Sequence, residues 1–130
     1  MSSLPEILDQ TLKAALQRSQ PQICLPRYLK EIQETEKLPE RIIVLGAGKA
    51  SAEMANALEC HWQGTDWGAK LTGLVLTRYG YGVPCTSIEI VEAAHPVPDE
   101  IGQITAQRIL NLAESATDQD LVICLISGGG

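Results

Sequence analysis

Residues 41–51 read RIIVLGAGKAS: an apolar, β-branched run from Ile42 to Leu45 enters Gly46, Ala47 and Gly48 and then meets Lys49. Four consecutive aliphatic residues suit a strand covered on both faces, and Ala50, Met54, Ala57 and Leu58 then return at helical spacing. The pattern predicts a strand over 41–45, a glycine turn, and a helix from about Ala50 to Trp62. Glycine tolerates positive φ and lets backbone N–H groups approach a ligand, while the first turn of a helix leaves donors unpaired. Lys49 at that end opposes the helix dipole, an arrangement that makes sense with an anion between them. Phosphate is the expected anion, cradled by Gly46, Ala47, Gly48 and Ser51, with Lys49 as its cation. The blander alternative is a tight βα turn with Lys49 as a solvated first-turn residue.

Two known phosphate motifs share part of this turn's pattern. A Walker A loop, GxxxxGK followed by Ser or Thr, fails because Ile43 and Ala50 occupy its first and last positions. The dinucleotide pattern GxGxxG fits at Gly46 and Gly48 but has Ser51 in third place. Its acidic ribose ligand is also missing, since the next strand, GLVLT at 73–77, ends in Arg78, a residue suited to a 2′-phosphate.

Composition excludes several classes. The 130 residues are 45% hydrophobic with a net charge of −6, which describes a soluble chain with one core and no basic stripe to track nucleic acid. Phenylalanine is absent, so an aliphatic core is expected. The N-terminus lacks the pattern of a signal peptide, and no run approaches the roughly 20 apolar residues that span a bilayer. A cytoplasmic protein without nucleic-acid or membrane partners is the expectation. Cys24, Cys60, Cys85 and Cys124 contain no CxxC pair and read as reduced thiols, Cys124 as a small core residue. Cys60, His61, Cys85 and His95 lack zinc-ligand spacing, so no metal site is expected from protein ligands.

Along the chain, Leu4, Ile7, Leu8, Leu12, Ala15 and Leu16 make an amphipathic helix ending before Pro21, expected to pack on the sheet or on a partner. Residues 20–40 read as a short second helix and a linker ending at Pro39. After the second strand, RYGYGVPC leaves little room for a helix before SIEIVEA, the third strand. Parallel pairing normally needs a connection of about a dozen residues or more, so either this loop is an irregular crossover or the third strand pairs elsewhere. Asp99 is placed to cap a helix whose buried stripe is Ile101, Ile104, Thr105, Ile109 and Leu112. The last strand, Leu121 to Ile126, feeds Ser127, Gly128, Gly129 and Gly130.

The fold class expected is α/β, a Rossmann-like three-layer sandwich with a mostly parallel sheet. Residues 1–40 are expected to form a helical lead-in and 41–130 a βα core whose last crossover is unmade, as in part of a larger protein. Ligands of open α/β sheets bind beyond the carboxyl ends of the strands. There this chain places Gly46 to Lys49, Arg78 to Gly82, His95 to Asp99, and Ser127 to Gly130. Arg78 is either a countercharge or a solvated strand end, His95 a proton carrier or a hydrogen-bonded ring, and Asp99 a cap or a cleft residue.

GAGKAS, LVLTRYGYG, EAAHPVPDEIG and LISGGG, in that order, resemble the N-terminal domain of the class II, MOFRL-type glycerate 2-kinases from Arg41 onward. The resemblance implies ATP-dependent phosphorylation of D-glycerate at its 2-hydroxyl, with magnesium, in a cleft between two domains. The family's lysine falls on Lys49 as the catalytic cation, and its glycine-rich loop on Ser127, Gly128, Gly129 and Gly130. The family commonly has Lys and His around the YG pair, where this chain has Arg78 and Tyr81; Arg keeps the charge but changes its geometry. A nicotinamide-dependent hydroxypyruvate reductase is the competing reading, supported by the partial dinucleotide pattern and Arg78. A third is a noncatalytic phosphate binder. Oligomeric state is not legible.

Overall fold

In a computed structural model that describes residues 1–128, the aliphatic run after Arg41 becomes the central strand β1 (Ile42–Ala47), buried on both faces. It starts one residue later and ends two residues later than the spacing suggests, because Gly46 and Ala47 continue the ladder. Two helices precede it, α1 (Leu4–Arg18) and α2 (Pro21–Thr35). After it come α3 (Ser51–Trp62), a single 3-10 turn at Gly68–Lys70, β2 (Leu71–Arg78), β3 (Ile88–Ala93), α4 (Glu100–Glu114) and β4 (Leu121–Ile126).

The sheet is wholly parallel, in the order β3-β2-β1-β4. One face packs Ile42, Val44, Val75, Ile88 and Leu125 against Ala55, Leu58 and Trp62 of α3 and Leu29 of α2. The other face carries α4, whose Arg108 pairs with Glu89, the neighbour of Ile88 in a strand where alternate residues face opposite ways. This is the expected three-layer α/β sandwich. The core is not purely aliphatic, however: with no phenylalanine to use, the chain buries Trp62 completely and sets it 5.3 Å from the ring of Trp67.

The third strand settles beside β2 in parallel, so residues 79–87 are an irregular crossover. Its anchor is Glu59 of α3. One carboxylate oxygen accepts from Thr86 N–H at 2.5 Å, and the other from Ser87 N–H at 2.8 Å and Ile88 N–H at 3.3 Å. Asn56 Nδ2 donates to the Pro84 carbonyl at 3.1 Å. The helix that covers β1 and β2 thus also holds the turn into β3, which removes the need for a second helix.

Three expectations are corrected. First, α2 is a full 15-residue helix that runs through Pro26, where one helical hydrogen bond is lost while Leu25 and Leu29 anchor it on either side. Second, α1 does not pack on the sheet and buries none of its residues; Leu4, Leu8, Leu12 and Leu16 lie exposed, although Ser3 and Glu6 form a proper capping box, so of the two expectations for this helix only the one of packing on the sheet is overturned. Third, of the proposed α4 stripe only Thr105 is fully buried, and Ile101 and Ile104 are exposed, because α4 meets β1, β2 and β3 along a narrow line. On β4, Val122, Cys124 and Ile126 face the α4 side beyond that helix's reach, so Cys124 is exposed rather than a core residue.

Candidate active site at the carboxyl edge of the sheet

From β1 the chain moves to β2 by way of α3, and from β3 it returns past both to β4 by way of α4. The two excursions leave the sheet in opposite directions, so the loops after β1 and β4 border the reversal point, the place of the ligand crevice in doubly wound sheets. Ligands of doubly wound sheets settle at such a reversal point. Here its walls are the Gly48–Ala50 turn and Ser127.

Contact between these walls is intimate. Ser127 N–H donates to the Ala47 carbonyl at 3.1 Å, and Ser127 Oγ accepts the Ala50 N–H at 2.9 Å. Gly48 adopts φ +113°, and a Cβ there would stand 2.3 Å from the Ser127 carbonyl oxygen. Lys49 is therefore flanked on both sides by residues that touch the second glycine loop. Its own side chain is exposed.

The turn is fixed from within. The Gly48 carbonyl receives Ser51 Oγ at 2.6 Å, Ser51 N–H at 3.2 Å and Thr77 Oγ1 at 3.1 Å. Those donors lie toward α3 and β2, and in a trans peptide the following N–H points the opposite way, so the Lys49 amide faces outward from the turn. Gly48 N–H is taken by the Leu76 carbonyl. The amides of Lys49, Ala52 and Glu53 donate to no acceptor among the described residues, and these, not those of Gly48, Ala50 or Ser51, are the free donors at the start of α3.

The sequence-derived site residues now divide. Gly46 is buried inside β1, where a Cβ would press on the Leu125 carbonyl and Val75 at 3.0 Å; Ala47 ends the strand, exposed. Ser51 is completely buried and bonded to Gly48 and Leu76, so it packs helix against strand rather than facing the crevice. Gly128, at φ +88°, is open to solvent, and Gly129 and Gly130 lie outside the described residues. Arg78 is exposed with its guanidinium 5.5 Å from the Tyr81 ring, and His95 is exposed rather than a buried ring. Asp99 is the helix cap expected: Oδ1 accepts Gly102 N–H and Oδ2 accepts the Tyr79 hydroxyl, both at 2.9 Å. These bonds, that of Gly102 first, hold its carboxyl below the usual aspartate value.

Two rim residues escaped sequence reasoning. Thr77 supplies the hydroxyl that reaches under the turn, and Glu92 accepts Gly80 and Gly82 N–H groups at 2.7 and 3.0 Å. A strand-terminal Thr and a Glu in an alternating strand carry no local signal of either role. A separate hollow of about 580 Å³ lies at the opposite end of β2 and β3, lined by residues such as Thr72, Gly73 and Ser87. It holds no cation, and burial pushes its Cys85 thiol up to about 11, an unreactive value. Among the described residues no cluster of His, Cys, Asp and Glu could hold a metal, and no helix is long and apolar enough to cross a membrane.

Residues 7–130 match the family model described as a domain of unknown function, DUF4147. The chain belongs to the DUF4147 family. A protein of Agrobacterium vitis named for hydroxypyruvate reductase is 41% identical over 98% of the chain and 27% of its own length. The D-glycerate 2-kinase of Thermotoga maritima is 35% identical over 97% of the chain and 29% of its own. A crystal structure of glycerate kinase from the same organism superposes with a TM-score of 0.80 at 31% identity, over 96% of the chain and 28% of that structure. The resemblance to glycerate 2-kinases drawn from the motifs is thus borne out at the level of family and fold. This DUF4147 chain spans less than a third of the length of these relatives.

Proposed function

We propose that the chain forms the phosphoryl-handling face of an ATP-dependent glycerate 2-kinase, which transfers phosphate to the 2-hydroxyl of D-glycerate to give 2-phosphoglycerate and ADP. The observation that carries this reading is the contact of the two loops: Ser127 joined to Ala50 and pressed on Gly48, with Lys49 between those two residues and the free Lys49 amide at the start of α3. Phosphoryl transfer is catalysed by positioning and by cations that stabilise charge on the equatorial oxygens. Lys49 serves as that cation, its outward amide at the start of α3 receives a phosphate oxygen, and Arg78 adds charge at the far side of the rim. Ser127 and Gly128 border the same crevice, with Gly129 and Gly130 assigned to the loop by family likeness.

Asp99 is a poor base, because both its oxygens are engaged and its acidity is increased. His95, free at the rim, is the better candidate in this chain. Magnesium is bound mainly by substrate phosphates with one or two carboxylates, and the carboxylates of the loops after β2 and β3, Glu92 and Asp99, are already bonded to N–H and O–H donors. The described residues do not assemble a magnesium site, so the ion belongs with the nucleotide and no step here runs through it. Four free cysteines support a reducing, cytoplasmic setting.

The test is a chimera in which this chain replaces the corresponding part of the Thermotoga maritima enzyme. It is expected to release ADP with glycerate in a coupled assay and to leave NADPH absorbance unchanged with hydroxypyruvate. Nicotinamide turnover without ADP release would overturn the kinase reading in favour of the reductase.

A further inference from the structure

Glu92 is the rim residue that phosphoryl transfer leaves without a role. It stands next to last in β3, in register with Thr77 of β2, and is half-buried. Its Oε1 accepts two N–H groups from the loop that follows β2, Gly80 at 2.7 Å and Gly82 at 3.0 Å. Gly80 reaches this arrangement at φ +83°, and a Cβ on Gly82 would lie 3.1 Å from the Glu92 carboxyl carbon. Backbone amides turned toward one point make a nest that ordinarily wraps an anion. In this loop the anion is the chain's own carboxylate. Around it, Tyr79 N–H donates to the Ala93 carbonyl at 3.1 Å, the Tyr79 hydroxyl reaches Asp99, and Arg78 lies against Tyr81.

We propose that Glu92 is a positioning residue: an internal anion that fills the Gly80–Gly82 nest, sets the loop carrying Arg78 and Tyr79, and closes that nest to outside anions. Among the described residues, the start of α3 is then a backbone donor group still open to a ligand's negative charge. Only this last consequence rests on the phosphoryl reading, and the experiment reads the nest alone.

The complete chain is labelled with nitrogen-15, and amide exchange and chemical shifts of Gly80 and Gly82 are followed with sodium formate as the probe. In the native chain both amides are expected to be protected and indifferent to formate. Glu92→Ala should speed their exchange about tenfold or more, as loss of a hydrogen bond to a charged acceptor requires, and formate should then shift both resonances saturably and restore protection. Glu92→Gln keeps a carbonyl acceptor and should retain most of the native protection. If Glu92→Ala loses its folded spectrum, Glu92→Asp, one methylene short, is read in the same way. Native exchange rates in these variants, or equal formate shifts in native and substituted chains, would overturn the assignment.

Discussion

Gly48 meets two demands that can be separated from each other. Its φ of +113° disfavours a side chain, and a Cβ would also strike Ser127. Gly80 shares the positive φ but has open space around it. Gly80→Ala is therefore expected to carry a backbone cost of about 1–2 kcal/mol. Gly48→Ala adds to a similar backbone cost a clash of about 1–3 kcal/mol. Urea unfolding of the two variants checks this, and equal losses would show that Gly48 has no packing role. Lys49→Ala in the chimera should lower kcat by about 100- to 1,000-fold, as loss of one transition-state donor does elsewhere; a fall below about tenfold would make Lys49 a bystander. The glycine turn and the Asp99 cap were legible because each is a local pattern. That Ser127 would occupy the Ala50 amide was not, since a hydroxyl 77 residues away gives the helix no signal in sequence.

At the scale of elements, the least legible feature was the parallel placement of β3, because the residue that permits it belongs to α3. Glu59 gathers three successive amides at the mouth of β3. Glu59→Ala should destabilise the chain by about 1.5–3 kcal/mol, the worth of hydrogen bonds to a charged acceptor, with the largest gain in exchange at Thr86 to Ile88. Along the same amino edge of the sheet, the Arg41 guanidinium grips Asp120 at 3.1 and 2.6 Å and joins the starts of β1 and β4. That pairing first, and the Thr117 amide second, hold the Asp120 carboxyl at about 2 instead of 3.8. A value lowered by folding means that the stabilisation is complete above 3.8 and is lost as pH falls toward 2. Glu89 and Asp99 are lowered in the same direction. Melting temperature should thus fall on acidification through this window, and Asp120→Asn should flatten the fall without abolishing it. An unchanged slope would mean that the pair does not form.

For the whole molecule, the hydrophobic pattern of the sequence reads out where apolar faces are but not what covers them. The stripes of α1 and α4 obey helical spacing, yet much of both is exposed, as are Val122, Cys124 and Ile126 on β4. β1 has a paired strand on each side and a buried environment, whereas β4 has one paired neighbour in the described sheet and a bare face. Amide protection should rank accordingly, since local opening follows burial and edge position. Hydrogen exchange of the chain alone is expected to be slowest in β1 and markedly faster in β4. In the chimera, where the matched region is little more than a quarter of the partner's length, β4 should become protected if that partner covers this face. The crevice shares its wall with β4 through Ser127, so a loosely held β4 leaves the Ala50 amide and the Lys49 turn loosely held as well. The chain alone should then give no ADP release with glycerate while the chimera does. Turnover by the chain alone, or a β4 as protected as β1 before fusion, would show that the crevice is already rigid and complete.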